Sequence, residues 1–330
     1  MILLYIFFFG LLIFTHELGH FALAKAFKVK VDEFSVGMGP KLFTKKKGQT
    51  QYSIRLFPIG GFVSMKGEKP FSDNENKEGS FHFLPPYKKA LILVAGAFAN
   101  ITMGIILMII SVSQTPAMGS TTIESVTTKD TTSLLKPKDK IVEINNNKIY
   151  DYLDINFFFA LDKDGIVDMQ VIRDGKKVEL ESVDFKSNGI KLKTVKKTPF
   201  LVLKKGFYNS FSVIRLVFAS VQKMIVGEVK LNDMAGPIGT IDVLNSASKT
   251  ANIGGILFLM ALISINIGVF NLLPIPGLDG GNLFFVVIEG IRRKPVSLKT
   301  QAIINTIGML LLFGLIILIS MNDLIRIIQR

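Results

Sequence analysis

Four long apolar runs constrain this chain more than any other feature. They cover about 2–27, 90–113, 253–273 and 301–322, each close to the ~20 residues that cross the ~30 Å of a bilayer's hydrocarbon. Clustering of this kind specifies a polytopic α-helical membrane protein with four transmembrane helices. Residues 1–14 have neither a basic start nor a small-residue cleavage site, so they read as mature sequence. The formal charge of +13 does not indicate nucleic acid. Many of the lysines lie in short loops beside the apolar runs, where positive charge sets orientation.

The loop from 28 to 89 carries Lys41, Lys45, Lys46, Lys47, Arg55, Lys66, Lys69, Lys77, Lys88 and Lys89, which assigns it to the cytoplasm. Parity then puts both termini and the segment 114–252 outside, and the loop at Arg292, Arg293 and Lys294 inside. The two basic loops fall on the same side. Within the first loop, "KLFTKKKGQTQYSIRLF" places a Gly-containing turn between alternating segments and "FPIGGFVSM" continues as an apolar strand, a hairpin signature over about 31–66. The polar stretch 72–80 reads as a linker. Residues 114–200 have soluble composition with short strand patterns such as "KIVEINNNKI" and "DMQVIRDGKKVEL", enough for one small α+β domain. In 206–226, Phe207, Phe211, Ile214, Phe218, Val221 and Ile225 form one apolar stripe interrupted by Arg215, Gln222 and Lys223. That pattern predicts an amphipathic helix on the outer membrane surface rather than a fifth span.

The first run contains "THELGH". Ionisable side chains at membrane depth are costly and mark function. His16 and His20, four apart, share a helix face and can bind one metal ion through neutral imidazoles, with Glu17 in reach of a metal-bound water. This is the HExxH arrangement of zinc hydrolases. The chain has no cysteine, so the remaining zinc ligand must be histidine or carboxylate. His82 lies in the polar loop beside "FLPPYKK". Asp279 in "NLLPIPGLDGGNLFF" is the better candidate: its prolines and glycines break the third span and free backbone groups at membrane depth. On the assigned topology both spans run inward, so Asp279 meets His16 and His20 at one depth. Asn271, eight residues earlier, is either a donor to a substrate carbonyl or oxyanion, or a helix-capping or interhelical asparagine.

"HELGH", "RLFPIGGFVSMKGE" and "NLLPIPGLDG", in this order, resemble the site-2 protease family, specifically the bacterial zinc metalloproteases of regulated intramembrane proteolysis. The resemblance implies Zn2+ held by His16, His20 and Asp279, Glu17 as general base and Asn271 as a substrate contact. It also implies that "FSVGMGP" through "GGFVSM" forms a membrane-re-entrant sheet on the cytoplasmic side, whose edge at Gly60 and Gly61 takes an unwound substrate strand by β-addition. Segment 114–200 resembles one PDZ module, with Lys138 where the family has glycine. "GEVKLNDMAGPIGT" resembles a family segment, so 201–252 combines the amphipathic helix with a gate-like stretch. The implied organisation is an N-terminal membrane core over 1–113, the extracytoplasmic PDZ-like domain, the 201–252 segment, and a C-terminal membrane core over 253–330.

The expected protein is thus a multi-pass intramembrane zinc endopeptidase of the inner or plasma membrane, with its active site toward the cytoplasm. Its expected substrates are single-span membrane proteins, such as anti-sigma factors first shortened by a site-1-type protease, or remnant signal peptides. Two other classes stay open: a metal-ion transporter or sensor, and an inactive PDZ-bearing scaffold. Against the first, the spans offer few polar residues beyond Asn100, Thr102, Asn266 and Asn271; against the second, a scaffold has no need of Glu17.

Overall fold

The computed structural model describes residues 2–67, 78–115, 117–127, 134–160, 165–184, 189–227 and 252–328. Four helices in it are long and apolar enough to cross a membrane: Phe7–Ala26, Pro86–Gln114, Ile253–Leu272 and Leu298–Arg326. They coincide with the four runs in the sequence. The helix that contains 206–226 is not one of them. The gate-like stretch 228–251 and most of the polar linker lie outside the described residues.

The chain divides into two compact units. The first contains helix α1 (Ile2–Ala26), strands β1 (Val31–Lys47) and β2 (Thr50–Met65), helix α2 (Pro86–Gln114) as far as Gly104, and helix α5 (Ile253–Leu272) from Ile263. Helices α6 (Asp279–Arg292) and α7 (Leu298–Ile328) complete it. Apolar residues surround α1 on all sides, as a helix enclosed by lipid and other helices requires. Helix α2 starts at Pro86, which has no N–H to leave unsatisfied and a φ already suited to a helix.

The β1–β2 hairpin turns at Gly48, where φ is +61°. Both strands then bend back, so residues 33–36 have 51–54 on one flank and 61–64 on the other. Glu33 fastens the first flank: it accepts from Ser53 and pairs with Arg55 at 2.7 Å, while Arg55 Nε donates to Ser35 at 2.9 Å. Ala24, Val31, Phe34, Val63, Met65 and Ile92 bury one face of this sheet against α1 and α2.

α1 and α2 meet through small residues. A Cβ on Gly19 would collide with the Ala95 backbone, and one on Gly96 would collide with the His20 ring. Close approach at glycines is how helices associate where no water drives them together. Two prolines interrupt the chain after α5, and Gly277 takes φ +93° before α6 begins at Asp279. This helix was not among the elements expected from the sequence, because its 14 residues are too short for a span and are preceded by strong breakers.

The second unit contains the rest of α2, helix α3 (Tyr152–Ala160), helix α4 (Pro199–Val226), the start of α5 and a sheet of strands β3 (Met118–Thr127), β4 (Lys140–Ile144), β5 (Asn147–Lys148), β6 (Ile166–Arg173), β7 (Lys176–Asp184) and β8 (Gly189–Val195). The sheet is antiparallel in the order β7-β6-β4-β3-β8, with β5 beside β4. Its hairpins follow from local sequence. Asn145 and Asn146 have φ +45° and +62°, and Asp174 and Gly175 have +49° and +79°, the left-handed pairs that tight hairpins favour. Ile123, Ile141, Ile144, Ile155, Val167 and Val171 form the core. Lys138 takes φ +76°, a conformation that suits glycine better than lysine.

Helix α4 begins earlier than the apolar stripe suggested, because Thr198 caps it by accepting from the Leu201 N–H at 3.2 Å. Phe200, Leu203, Phe207, Phe211 and Phe218 are exposed along it.

Asp139, 1% exposed, anchors the turn before β4. It accepts from Arg173 Nε and Nη2 at 2.8 and 2.7 Å and from the Lys136 N–H at 2.8 Å. Burial pushes its pKa up, but the Arg173 and Lys136 hydrogen bonds outweigh that and hold it below the ordinary carboxylate value. A lowered folded-state pKa contributes stability that is complete above the ordinary carboxylate range and is lost as pH falls below it. In the full-length protein, Asp139→Asn is expected to lower the opening free energy read by hydrogen exchange at the Ile141 and Val171 amides by about 2 kcal/mol at neutral pH. The difference should shrink in acid; equal protection at neutral pH contradicts the anchoring role.

Candidate metal centre

α1 places His16 and His20 one turn apart on one face, and the missing side chain at Gly96 in α2 leaves room for the His20 ring, whose Nε2 comes nearest to it. His20 is 7% exposed. Its Nδ1 donates to the Ile92 carbonyl at 2.8 Å, so in the neutral ring Nε2 carries the lone pair that a metal ion would use. Asp279, at the first position of α6, directs Oδ2 to the same point. Oδ2 lies 3.0 Å from His16 Nε2 and 3.1 Å from His20 Nε2, and the two Nε2 atoms are 3.2 Å apart.

Three donor atoms therefore form a nearly equilateral triangle. A tetrahedral ion with bonds of about 2.0 Å needs ligand atoms separated by roughly 3.3 Å, so the triangle is the right size for zinc. Its chemistry fits too: two imidazole nitrogens and a carboxylate oxygen are a common catalytic zinc set. His16 Nδ1 is buried with no hydrogen-bond partner among the described residues.

Glu17 is half-buried and points to the sheet side of α1. A Cβ on Gly61 would lie 3.3 Å from Glu17 Cγ, so the Glu17 side chain passes close to β2 at that glycine. The 61–65 segment of β2 has a ladder partner on one side only among the described residues, and its other side lies along α1 at Glu17. Gly60 sits beside it with φ +91°, against Met38.

The structure thus brings His16, His20 and Asp279 together, with Glu17 and Gly61 adjacent. Asn271 is half-buried in the last turn of α5. His82 lies instead in the turn at Phe81–Phe83 and lines a separate cavity of about 240 Å³ with Lys89 and Glu289. Asn100 is fully buried on α2, one turn beyond Gly96, and neither its Oδ1 nor its Nδ2 has a partner among the described residues. Its apolar surroundings in sequence give no sign that it would face this region. The helical period supplies that sign: it lies between Gly96, which meets α1, and Ala97 and Ile101, which meet Gly268 of α5.

The profile of peptidase family M50 matches residues 4–315. The chain is similar to a protein of Clostridium perfringens that bears a provisional zinc metalloprotease name, at 35% identity over 96% of each chain. It is 36% identical to a similarly named protein of Clostridium acetobutylicum, over 96% of this chain and 95% of the other. It is also 26% identical, over 98% of each chain, to the regulator of sigma-W protease RasP of Bacillus subtilis. The chain belongs to peptidase family M50.

Proposed function

We propose that this zinc metalloprotease hydrolyses a peptide bond within or beside the transmembrane helix of single-span membrane proteins. The observation that carries the reading is the convergence of His16, His20 and Asp279 on one point, beside Glu17 and the flank of β2 that has no ladder partner at Gly61 among the described residues. His16, His20 and Asp279 would hold the zinc. Bound there, zinc polarises the scissile carbonyl and acidifies a water molecule. Glu17 takes the proton from that water and passes it to the leaving amine. Ile92 fixes the His20 tautomer through its carbonyl.

A helix hides its peptide bonds, so the substrate must be locally unwound before it is cut. The edge of β2 at Gly60 and Gly61 offers backbone groups to an extended strand next to Glu17. Asn271 serves as a further substrate contact at the end of α5. The positive-inside distribution puts the termini and the 114–200 domain outside and the site in the inner half of the membrane, so the fragment is released inward. The exposed apolar stripe of α4 fits the outer membrane surface, and the segment that follows acts as the gate. The 114–200 domain serves as a single PDZ-like module. Its antiparallel sheet and Lys138 at positive φ, where the family has glycine, support that reading. Anti-sigma factors trimmed by an upstream protease are the substrate class favoured by similarity to the RasP protein, with remnant signal peptides as a further class.

Cells carrying Glu17→Gln should accumulate an uncut membrane-protein fragment that co-purifies with the variant and is absent in wild type. If nothing accumulates and purified, zinc-loaded wild type leaves transmembrane peptides intact, the reading is wrong. Gly96→Ala should push His20 aside and cut the zinc content of the purified protein at least severalfold, by the sensitivity typical of groups that orient a ligand. Full zinc content in that variant would show that the close α1–α2 contact is not needed to set the site.

A further inference from the structure

Asp279 follows a segment that satisfies only part of its own backbone: the Ile275 and Leu278 N–H groups donate to the Leu273 and Ile275 carbonyls, whereas that of Gly277 turns to a side chain of another helix. Pro274 and Pro276 supply no N–H, and Leu278, the residue before α6, gives that helix no side-chain cap. The Gly277 N–H lies outside any regular helix, in a part of the chain where an unpaired backbone group is expensive. Asn305 of α7 meets this need. Its Oδ1 accepts from the Gly277 N–H at 3.2 Å, and its Nδ2 donates to Asn282 Oδ1 at 2.8 Å. One carboxamide therefore ties the residue two before Asp279 to the residue three after it. α7 comes close enough to do so because Gly308, three residues beyond Asn305, packs directly on Pro276.

We propose that Asn305 is a positioning residue for the metal centre: it fixes the turn from which Asp279 projects, without itself touching metal or substrate. The inference rests on the reading of Asp279 as a zinc ligand. Leucine at 305 fills similar space but offers neither hydrogen bond, and it keeps water from the adjoining cavity away from Gly277. Aspartate keeps both: one oxygen accepts from Gly277, and the other accepts from Asn282 once that amide has turned over.

The test is the zinc dissociation constant of the full-length protein in detergent micelles, stripped of metal and titrated in competition with a chromophoric chelator. Asn305→Leu should bind zinc about 10- to 100-fold more weakly, as loss of an outer-shell partner does. Asn305→Asp should stay within about threefold of wild type, since its outer-shell contacts survive. Asp279→Ala is measured beside them. If Asp279→Ala binds zinc like wild type, the ligand assignment fails. If Asp279→Ala weakens binding and Asn305→Leu does not, the Asn305 inference alone is overturned. Equal weakening in the Leu and Asp variants also overturns it, because the loss then does not follow the hydrogen bonds. Should Asn305→Leu not fold, Asn282→Leu removes one of the two bonds. It is expected to weaken binding by an intermediate factor, and unchanged affinity counts against the proposal.

Discussion

The arrangement of the membrane part depends on three side-chain atoms sharing one point. His16 and His20 come from one helix, but Asp279 arrives from 259 residues along the chain. In a low-dielectric setting a carboxylate beside two imidazoles is expensive unless it is paired or coordinated. Much of the local architecture serves that meeting. Glycines let α1 and α2 touch, the Ile92 carbonyl orients one imidazole, and a proline-broken segment turns the chain so that a new helix starts with the carboxylate.

The break after α5 illustrates a wider compromise. An unbroken helix, such as α1 with His16 and His20, satisfies its own backbone but does not turn the chain within the membrane. Irregular backbone turns it but leaves polar groups to be satisfied by neighbours. Here the neighbour is α7, whose side chain and small residues close around the turn. The sheet faces a related problem with the opposite solution. Residues 33–36 are paired on both flanks, whereas among the described residues 61–64 have a ladder partner on one flank only and lie beside Glu17 on the other; sheets normally blunt such an edge against unwanted pairing.

What could be read from the sequence follows the range of the signals. Apolar runs and the HExxH spacing are local, and the four spans and the His16–Glu17–His20 face were legible from them. The β1–β2 hairpin was legible as well, through alternation and Gly48. Asp279 was connected to the histidines by the family resemblance of "NLLPIPGLDG" and by counting membrane crossings, and that count depended on reading 206–226 as an interfacial helix. The parts that stayed hidden depend on tertiary partners: the doubled-back sheet register, the return helix α6, and Asn305, which is one amide among apolar residues until Gly277 and Asn282 are seen on either side of it. No composition or period marks such a residue.

The central claim is that two imidazoles and one carboxylate hold the metal. X-ray absorption at the zinc edge of the purified protein tests it most directly. The account predicts a four-coordinate ion whose inner shell is nitrogen and oxygen at about 2.0–2.1 Å, with the outer scattering pattern of two imidazole rings, falling to one in His20→Ala. An inner shell of oxygen alone, or an imidazole signal unchanged by that substitution, would contradict it.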